Sequence, residues 1–387
     1  MKGLVSRLAF AAMSVGCASA PTARGEPADD AGPLFVVDGG DAGSGGDVFV
    51  VTQRRPTRRV DPRTGVVTEA AGERIDARYT LVTRCENLRG DHCVLPEGRY
   101  VPVEVGAPER VYLPDDGRYL NEPTLIADDD GRWHVFSNGG DGEGGPWVER
   151  ALLHATAPRL EGPWRGAPDA MRFDDPDSRE GHLWAPFVMA AGEGYRLFYF
   201  APEGGGAAGL RSARSTDLGR WQRDRETIDT GRDAMVFTLA DGARLLYAVG
   251  TVRRADGAHD VVRLHRASPG QEDWRALPPA LEQPEVCRAD CWGFYESPYV
   301  LALGGYYYLF VTLTDSAAET YEQTTVYRSD DPTRFDPVPI TVLSAHGGEV
   351  HFEDGLSYLT RGGWPSRIGA ARRGLSRVQL GWARAPD

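Results

Sequence analysis

A hairpin recurs five times along this 387-residue chain, and that recurrence restricts the fold more than any other feature. Each copy is a short apolar strand, a polar turn and a second strand rich in aromatics. The copies are Pro123–Ile126 with Trp133–Phe136, Ala185–Val188 with Tyr195–Tyr199, Met235–Phe237 with Leu245–Tyr247, Pro298–Val300 with Tyr306–Phe310, and Val350–Phe352 with Leu356–Leu359. Asp130-Gly131, Asp241-Gly242, Gly304-Gly305 and Asp354-Gly355 lie between the strands of four copies, as short hairpin turns demand. A second signal alternates with the first: a strand-like run that ends in small polar residues, followed by an aromatic. It reads Leu153–Thr156 with Trp164, Arg211–Ser215 with Trp221, Leu264–Ser268 with Trp274, and Val326–Asp330 with Phe335. The aromatics recur roughly every 53 to 61 residues, the spacing of a structural repeat. Trp164, Trp221 and Trp274 read as core between units, and Tyr306 to Tyr308 as strand packing.

Five units of at least three strands over residues 118–383 predict an all-β, five-bladed β-propeller. A β-sandwich is the competing reading, but it leaves the matched aromatics without a reason. The 47 glycines and 27 prolines argue against an all-helical chain, and 41% hydrophobic residues can fill a large core. Residues 48–117 hold short strands and Pro/Gly turns. They read as a β-rich extension that can supply an outer strand, a closure or a cap, which leaves 118–387 as the propeller.

The first residues read as an address. Lys2 and Arg7 precede a short apolar run, Leu8 to Val15, which is too short for a bilayer span of about 20 residues but fits a signal peptide over 1–20. Cys17 after Ser14-Val15-Gly16 resembles a bacterial lipobox, and cleavage after Ala20 is the alternative. Residues 21–47, rich in Gly, Ala, Asp and Pro, read as a flexible tether. The expected location is secreted or lipid-anchored, outside the cytoplasm at a bacterial cell envelope. Without Cys17, four cysteines remain. Cys85, Cys93, Cys287 and Cys291 suit an oxidising compartment, with Cys85–Cys93 and Cys287–Cys291 one of three possible pairings.

Charge and motifs remove several functions. With 43 Lys+Arg against 56 Asp+Glu the net charge is −13, which disfavours a nucleic-acid partner. The sole lysine is Lys2, so Schiff-base chemistry and a Walker A loop are excluded from a processed chain. There is no Gly-x-Ser-x-Gly elbow, no His-Glu-x-x-His helix and no dinucleotide-binding glycine fingerprint that follows a strand and opens a helix.

The innermost strand of each propeller blade lines the axis, so residues at the openings of the five units should converge. Those openings hold Asn121-Glu122, His182-Leu183-Trp184, Arg232-Asp233, Trp292-Gly293-Phe294-Tyr295-Glu296, and His346-Gly347. Glu122, Asp233 and Glu296 would meet at one mouth, with Trp184, Trp292 and Phe294 able to stack on sugar faces. Asn121, His182, Arg232 and His346 are polar residues for hydroxyls. Glu180 and Glu349 read as solvated. Paired carboxylates with aromatics are what glycosidic-bond cleavage needs: one acid to protonate the leaving oxygen, and one carboxylate to activate water or attack the anomeric carbon. A third charge can hold the acid's pKa up.

On these motifs the propeller region resembles the five-bladed glycoside hydrolases of families 43 and 32, which include arabinanases, arabinofuranosidases, β-xylosidases and fructan hydrolases. Leu120-Asn121-Glu122-Pro123 is similar to their first-blade motif, His182 to Pro186 to the second-blade Trp-Ala-Pro motif, and Arg232-Asp233-Ala234 to the third-blade Arg-Asp-Pro motif. Tyr295-Glu296-Ser297-Pro298 is similar to the motif carrying the acid, and Gly374 to Leu380 to the closing strand. The resemblance implies Glu296 as general acid, Asp233 as the residue that orients and tunes it, and Glu122 as base or nucleophile. It implies no required cofactor. A structural calcium near His346 is conceivable, and the metal is otherwise unknown. It further implies a carbohydrate substrate of arabinan, xylan or fructan type and a monomer that touches membrane only through a lipid anchor. Glu122 departs from the family's Asp, and Ala234 from its Pro. An extra methylene moves a carboxylate by roughly 1 Å, a displacement that can cost about a hundredfold in rate. A non-catalytic carbohydrate-binding propeller is therefore the second reading, and a protein-interaction propeller the third.

Overall fold

The computed structural model describes residues 80–85, 93–202, 208–224, 226–229, 231–283, 295–314 and 321–384 in full, together with strand backbone within 35–93. Cys17, Cys287, Cys291, Trp292 and Phe294, the signal segment, and all of the tether but Phe35–Val37 and Asp47 lie outside the described residues. Residues from Pro33 to Asp387 form one compact unit.

Four consecutive antiparallel sheets of four strands make blades one to four. Their inner strands are Asn121–Ala127, Trp184–Ala191, Arg232–Thr238 and Tyr295–Leu303. Each is followed outward by the aromatic-rich second strand, the third strand and an outer one, as the hairpin repeat predicts. The turns follow their chemistry. Gly304 and Gly305 both take positive φ (59° and 84°), as do Asp354 and Gly355 (51° and 79°), so each closes a two-residue hairpin whose twist matches its strands.

The fifth blade comes from both ends of the chain. Glu349–Glu353, Leu356–Arg361 and Leu375–Arg384 supply three strands. The fourth is Tyr100–Tyr112, which precedes the expected propeller start at 118 yet pairs antiparallel with Leu375–Arg384 along nearly its whole length. Such pairing leaves no open edge where the ring would otherwise part. Arg74–Val82 adds to the same sheet at Trp382–Arg384. The Cys85–Cys93 disulfide (Cα–Cα 5.5 Å) ties this region, and its cysteines pack in one core cluster with Tyr100, Tyr308 and Trp382.

The repeated aromatics join neighbouring blades. Trp221 of blade two stands edge-on to Phe136 of blade one (5.5 Å), and Trp274 of blade three edge-on to Phe198 of blade two (6.3 Å). Trp164 of blade one packs on Tyr112 of the closing strand (6.3 Å), and Phe335 is buried against blade three, its N–H donating to Ala280 O (2.7 Å). Each buries a large apolar area where two twisted sheets meet, so the ring is held by the same contact at successive seams.

Candidate active site

All five inner strands open on the same backbone device. In the pairs Asn121-Glu122, Trp184-Ala185, Arg232-Asp233, Glu296-Ser297 and His346-Gly347, the second residue is left-handed, with φ of 50°, 46°, 55°, 48° and 60°. For the four that carry a Cβ this conformation costs roughly 1–2 kcal/mol each. Pairing with the second strand slips at this point in blades one to four. The result is two stacked rings of axial residues. Glu122, Ala185, Asp233, Ser297 and Gly347 line a narrow axial cavity of about 30 Å³, together with the residues that follow them. That volume holds little more than a water or two. Glu296, Arg232, Trp184, Asn121 and His346 stand one residue earlier and outside that lining.

Glu122 is clasped. Ser297 Oγ donates to its Oε1 (2.8 Å) and Asn138 Nδ2 approaches its Oε2 (3.4 Å). Gly347 lies against it, so closely that a Cβ there would fall 3.0 Å from Glu122 Cα. Asp233 is buried and accepts from the Arg232 guanidinium and from Ser297 N–H (3.3 Å). Arg232 also donates to Tyr295 O (2.9 Å), and its Nη1 stands 3.6 Å from Glu296 Oε1. The Glu296 side chain keeps 23% of its surface open. Ser297 and Arg232 thus bind carboxylates from blades one, three and four into one cluster.

Three acids crowded in a low-dielectric site cannot all ionise easily. Burial pushes Glu122 well above the usual carboxylate range, and the charges of Asp233, Glu296 and Glu149 push it further. Burial raises Asp233 to about 6 against the opposing pull of Arg232. Burial likewise raises Glu296, with Arg232 opposing. His346 is lowered to about 4 by burial, so it is neutral at neutral pH; its Nδ1 faces Tyr321 O (3.0 Å) beneath the stacked Tyr321 ring (3.9 Å between centroids).

The polar residues expected to meet hydroxyls are largely tied into the protein. Asn121 is buried and accepts from Tyr321 OH (3.0 Å). His182 Nε2 faces Trp147 O (3.1 Å), and Trp184 Nε1 donates to Pro146 O (2.9 Å). Glu180 and Glu349, expected in solvent, are buried instead. Glu180 pairs with Arg223 (3.3 Å) and accepts from Tyr199 OH (3.0 Å), and Glu349 accepts from Leu125 N–H (3.3 Å). Interblade packing leaves these positions no route to water, and local partners replace it. Calcium takes six to eight oxygen ligands. Among the described residues no group of three or more His, Cys, Asp or Glu side chains converges to hold a metal.

Two features were not read from the sequence. Glu149, in the loop after the first blade's second strand, is 1% exposed and accepts from Trp364 Nε1 (2.7 Å), Asn138 Nδ2 (2.7 Å) and Tyr119 OH (3.2 Å). Trp147, two residues earlier, is 47% exposed, with its ring edge-on to His182 (5.3 Å) and Trp184 (5.6 Å). The signal the sequence does carry is the polar pair Ser137-Asn138 near the end of an otherwise largely aromatic strand.

No protein-family model matches the chain, and no curated protein matches it significantly. Solved structures do. A family-43 enzyme of Xanthomonas citri complexed with xylotriose superposes with a TM-score of 0.51 at 15% identity, covering 70% of this chain and 88% of that one. A family-117 glycoside hydrolase of Zobellia galactanivorans gives 0.51 at 10% identity, covering 73% and 90%. The Bombyx mori family-32 β-fructofuranosidase gives 0.51 at 16%, covering 70% and 61%. The chain has the five-bladed propeller fold that these glycoside hydrolases share.

Proposed function

We propose that the chain is a glycoside hydrolase of arabinan-, xylan- or fructan-type saccharides, working as a monomer that is secreted or lipid-anchored. The observation that carries this is the cluster of Glu122, Asp233 and Glu296, drawn from three blades and joined through Ser297 and Arg232. The xylotriose complex and the β-fructofuranosidase among its structural neighbours make xylo- and fructo-oligosaccharides the first substrates to try. The Cys85–Cys93 disulfide suits an oxidising compartment.

In this reading Glu296 is the acid. Its raised pKa keeps a proton available, and its open edge lets it reach a glycosidic oxygen. Glu122 is the base or nucleophile. Ser297 fixes Oε1, which leaves Oε2, with its one long contact, to face water or the anomeric carbon. Asp233 holds Arg232 beside Glu296, so the acid's protonation state follows a fixed charge pair. One observation favours the second reading, a carbohydrate-binding propeller without turnover: burial and the charges of Asp233, Glu296 and Glu149 push Glu122 well above the usual carboxylate range, which opposes the ionisation a base needs.

The test is hydrolysis of a panel of aryl arabinofuranosides, aryl xylosides, and arabinan, xylan and fructan oligosaccharides, with Glu296→Gln alongside. Turnover abolished in Glu296→Gln supports the enzyme. Sugar binding without turnover in the wild type, with turnover gained in Glu122→Asp, supports the binding module.

A further inference from the structure

We propose that Glu149 is a positioning residue for Glu122, acting through the side-chain amide of Asn138. This deepens the function proposed above and rests on it only for the catalytic readout. Asn138 is fully buried and its amide has three partners. Oδ1 accepts from Ala185 N–H (3.3 Å), in the left-handed ring position of blade two, and Nδ2 donates to Glu149 Oε2 (2.7 Å) and reaches Glu122 Oε2 (3.4 Å). The Ala185 N–H permits only the oxygen on its side, so the NH₂ must face both carboxylates. The shorter bond sets the rotamer, and that bond belongs to Glu149. The contact to Glu122 is what remains once Glu149 has placed the amide.

Glu149 is itself held from several directions. Trp364, on the segment that follows the fifth blade's second strand, and Tyr119, just before the first inner strand, both donate to its Oε1. Asn121 adds a side-chain hydrogen bond. The titratable groups that face it are Tyr119, Glu122 and Tyr321. Burial raises it to about 7, partly offset by these donors. A buried carboxylate on four donors, with no ion pair among the described residues, is costly to keep, and nothing in the acid–base scheme uses it. Its charge falls on Glu122, and its bond falls on the amide that touches the freer Glu122 oxygen.

Glu149→Gln is the discriminating change. Gln can accept from Trp364 and Tyr119, but its own NH₂ then meets the NH₂ of Asn138, and the amide must turn from Glu122. The removed charge also relaxes the push on Glu122, which outweighs the long 3.4 Å amide contact that is lost. The expected result is a tenfold or greater fall in kcat with KM within about twofold, and an acidic limb of kcat/KM moved to lower pH. Glu149→Asp should recover part of kcat. In parallel, carboxyl NMR of ¹³C-Glu-labelled protein should show the Glu122 titration shifted down in Glu149→Gln, and Asn138→Ala should perturb the same signal. An unmoved Glu122 titration in folded Glu149→Gln overturns the proposal, as does a kcat fall that appears only with a matching loss of thermal stability and an unmoved limb. If the wild type hydrolyses nothing on the panel but the Glu122 signal shifts as stated, the enzymatic reading fails and the positioning role stands.

Discussion

Gly347→Ala tests whether the left-handed ring matters for catalysis or only for folding. The substitution adds one Cβ at φ +60°, placed 3.0 Å from Glu122 Cα and 3.3 Å from its Cγ. Gly192 is the matched control, because it has φ +63° and nothing within 4 Å of the same Cβ. Both variants take on a left-handed alanine, which costs about 1–2 kcal/mol. In a propeller of this size that corresponds to a fall in Tm of roughly 2–3 °C. Only Gly347→Ala must also move Glu122, by a few tenths of an ångström. A 1 Å misplacement costs on the order of a hundredfold, so a shift of that size should cost about fourfold in kcat. Scanning fluorimetry and steady-state kinetics on the best substrate of the panel read the two effects separately. Equal kcat in Gly347→Ala and Gly192→Ala, at equal loss of Tm, would refute the claim that Glu122 is placed by the absence of a side chain at 347.

Ser297→Ala deletes the hydroxyl that favours ionised Glu122. A hydrogen bond to a charged group is worth about 1.5–3 kcal/mol, so the acidic limb of kcat/KM should rise by roughly one to two pH units; a limb that stays put sinks the assignment of Glu122 as base. Trp147→Ala should raise KM for oligosaccharides several-fold and leave small aryl glycosides unaffected, because an exposed ring anchored on His182 and Trp184 offers a face on which a second sugar would stack under the proposed function; equal effects on both substrates would rule this out. Glu149 has a folded pKa of about 7 against an ordinary 4.5, so the folded state holds the proton more tightly. Its contribution is fullest below pH 4.5 and is lost as pH rises through 7, an amount of about 3 kcal/mol. Wild-type stability should therefore fall more steeply than that of Glu149→Gln between pH 5 and 8, and parallel stability–pH curves would contradict this.

The blades were legible because hairpins write themselves locally. Asp-Gly and Gly-Gly mark the turns, alternation marks the strands, and a recurring tryptophan marks the seam. The three carboxylates were legible because they open those strands. Their relative depth was not. Glu122, Asp233 and Glu296 read as meeting at one mouth, yet Glu122 and Asp233 occupy the left-handed position and Glu296 the one before it. A positive φ at a residue with a Cβ leaves no mark in the sequence. Glu149 was hidden for another reason: it sits beyond the glycine-rich stretch Gly139 to Gly145, in a loop outside the repeated strands, and its partners come from residues 119, 138 and 364. The closing strand Tyr100–Tyr112 pairs with residues some 270 positions away, and no local pattern announces such a partner.

That closing strand also has a bearing on how the protein is made. Tyr100–Tyr112 leaves the ribosome well before Leu375–Arg384, and at about 5–20 residues per second the delay is roughly 15–50 s. Throughout that interval its hydrogen-bonding edge has no partner, and the ring stands open at its last seam. Four blades can form in order of synthesis, but the clasp cannot shut until the chain is nearly finished. A chain stopped short of residue 375 would hold every proposed catalytic carboxylate and still be an unlatched ring.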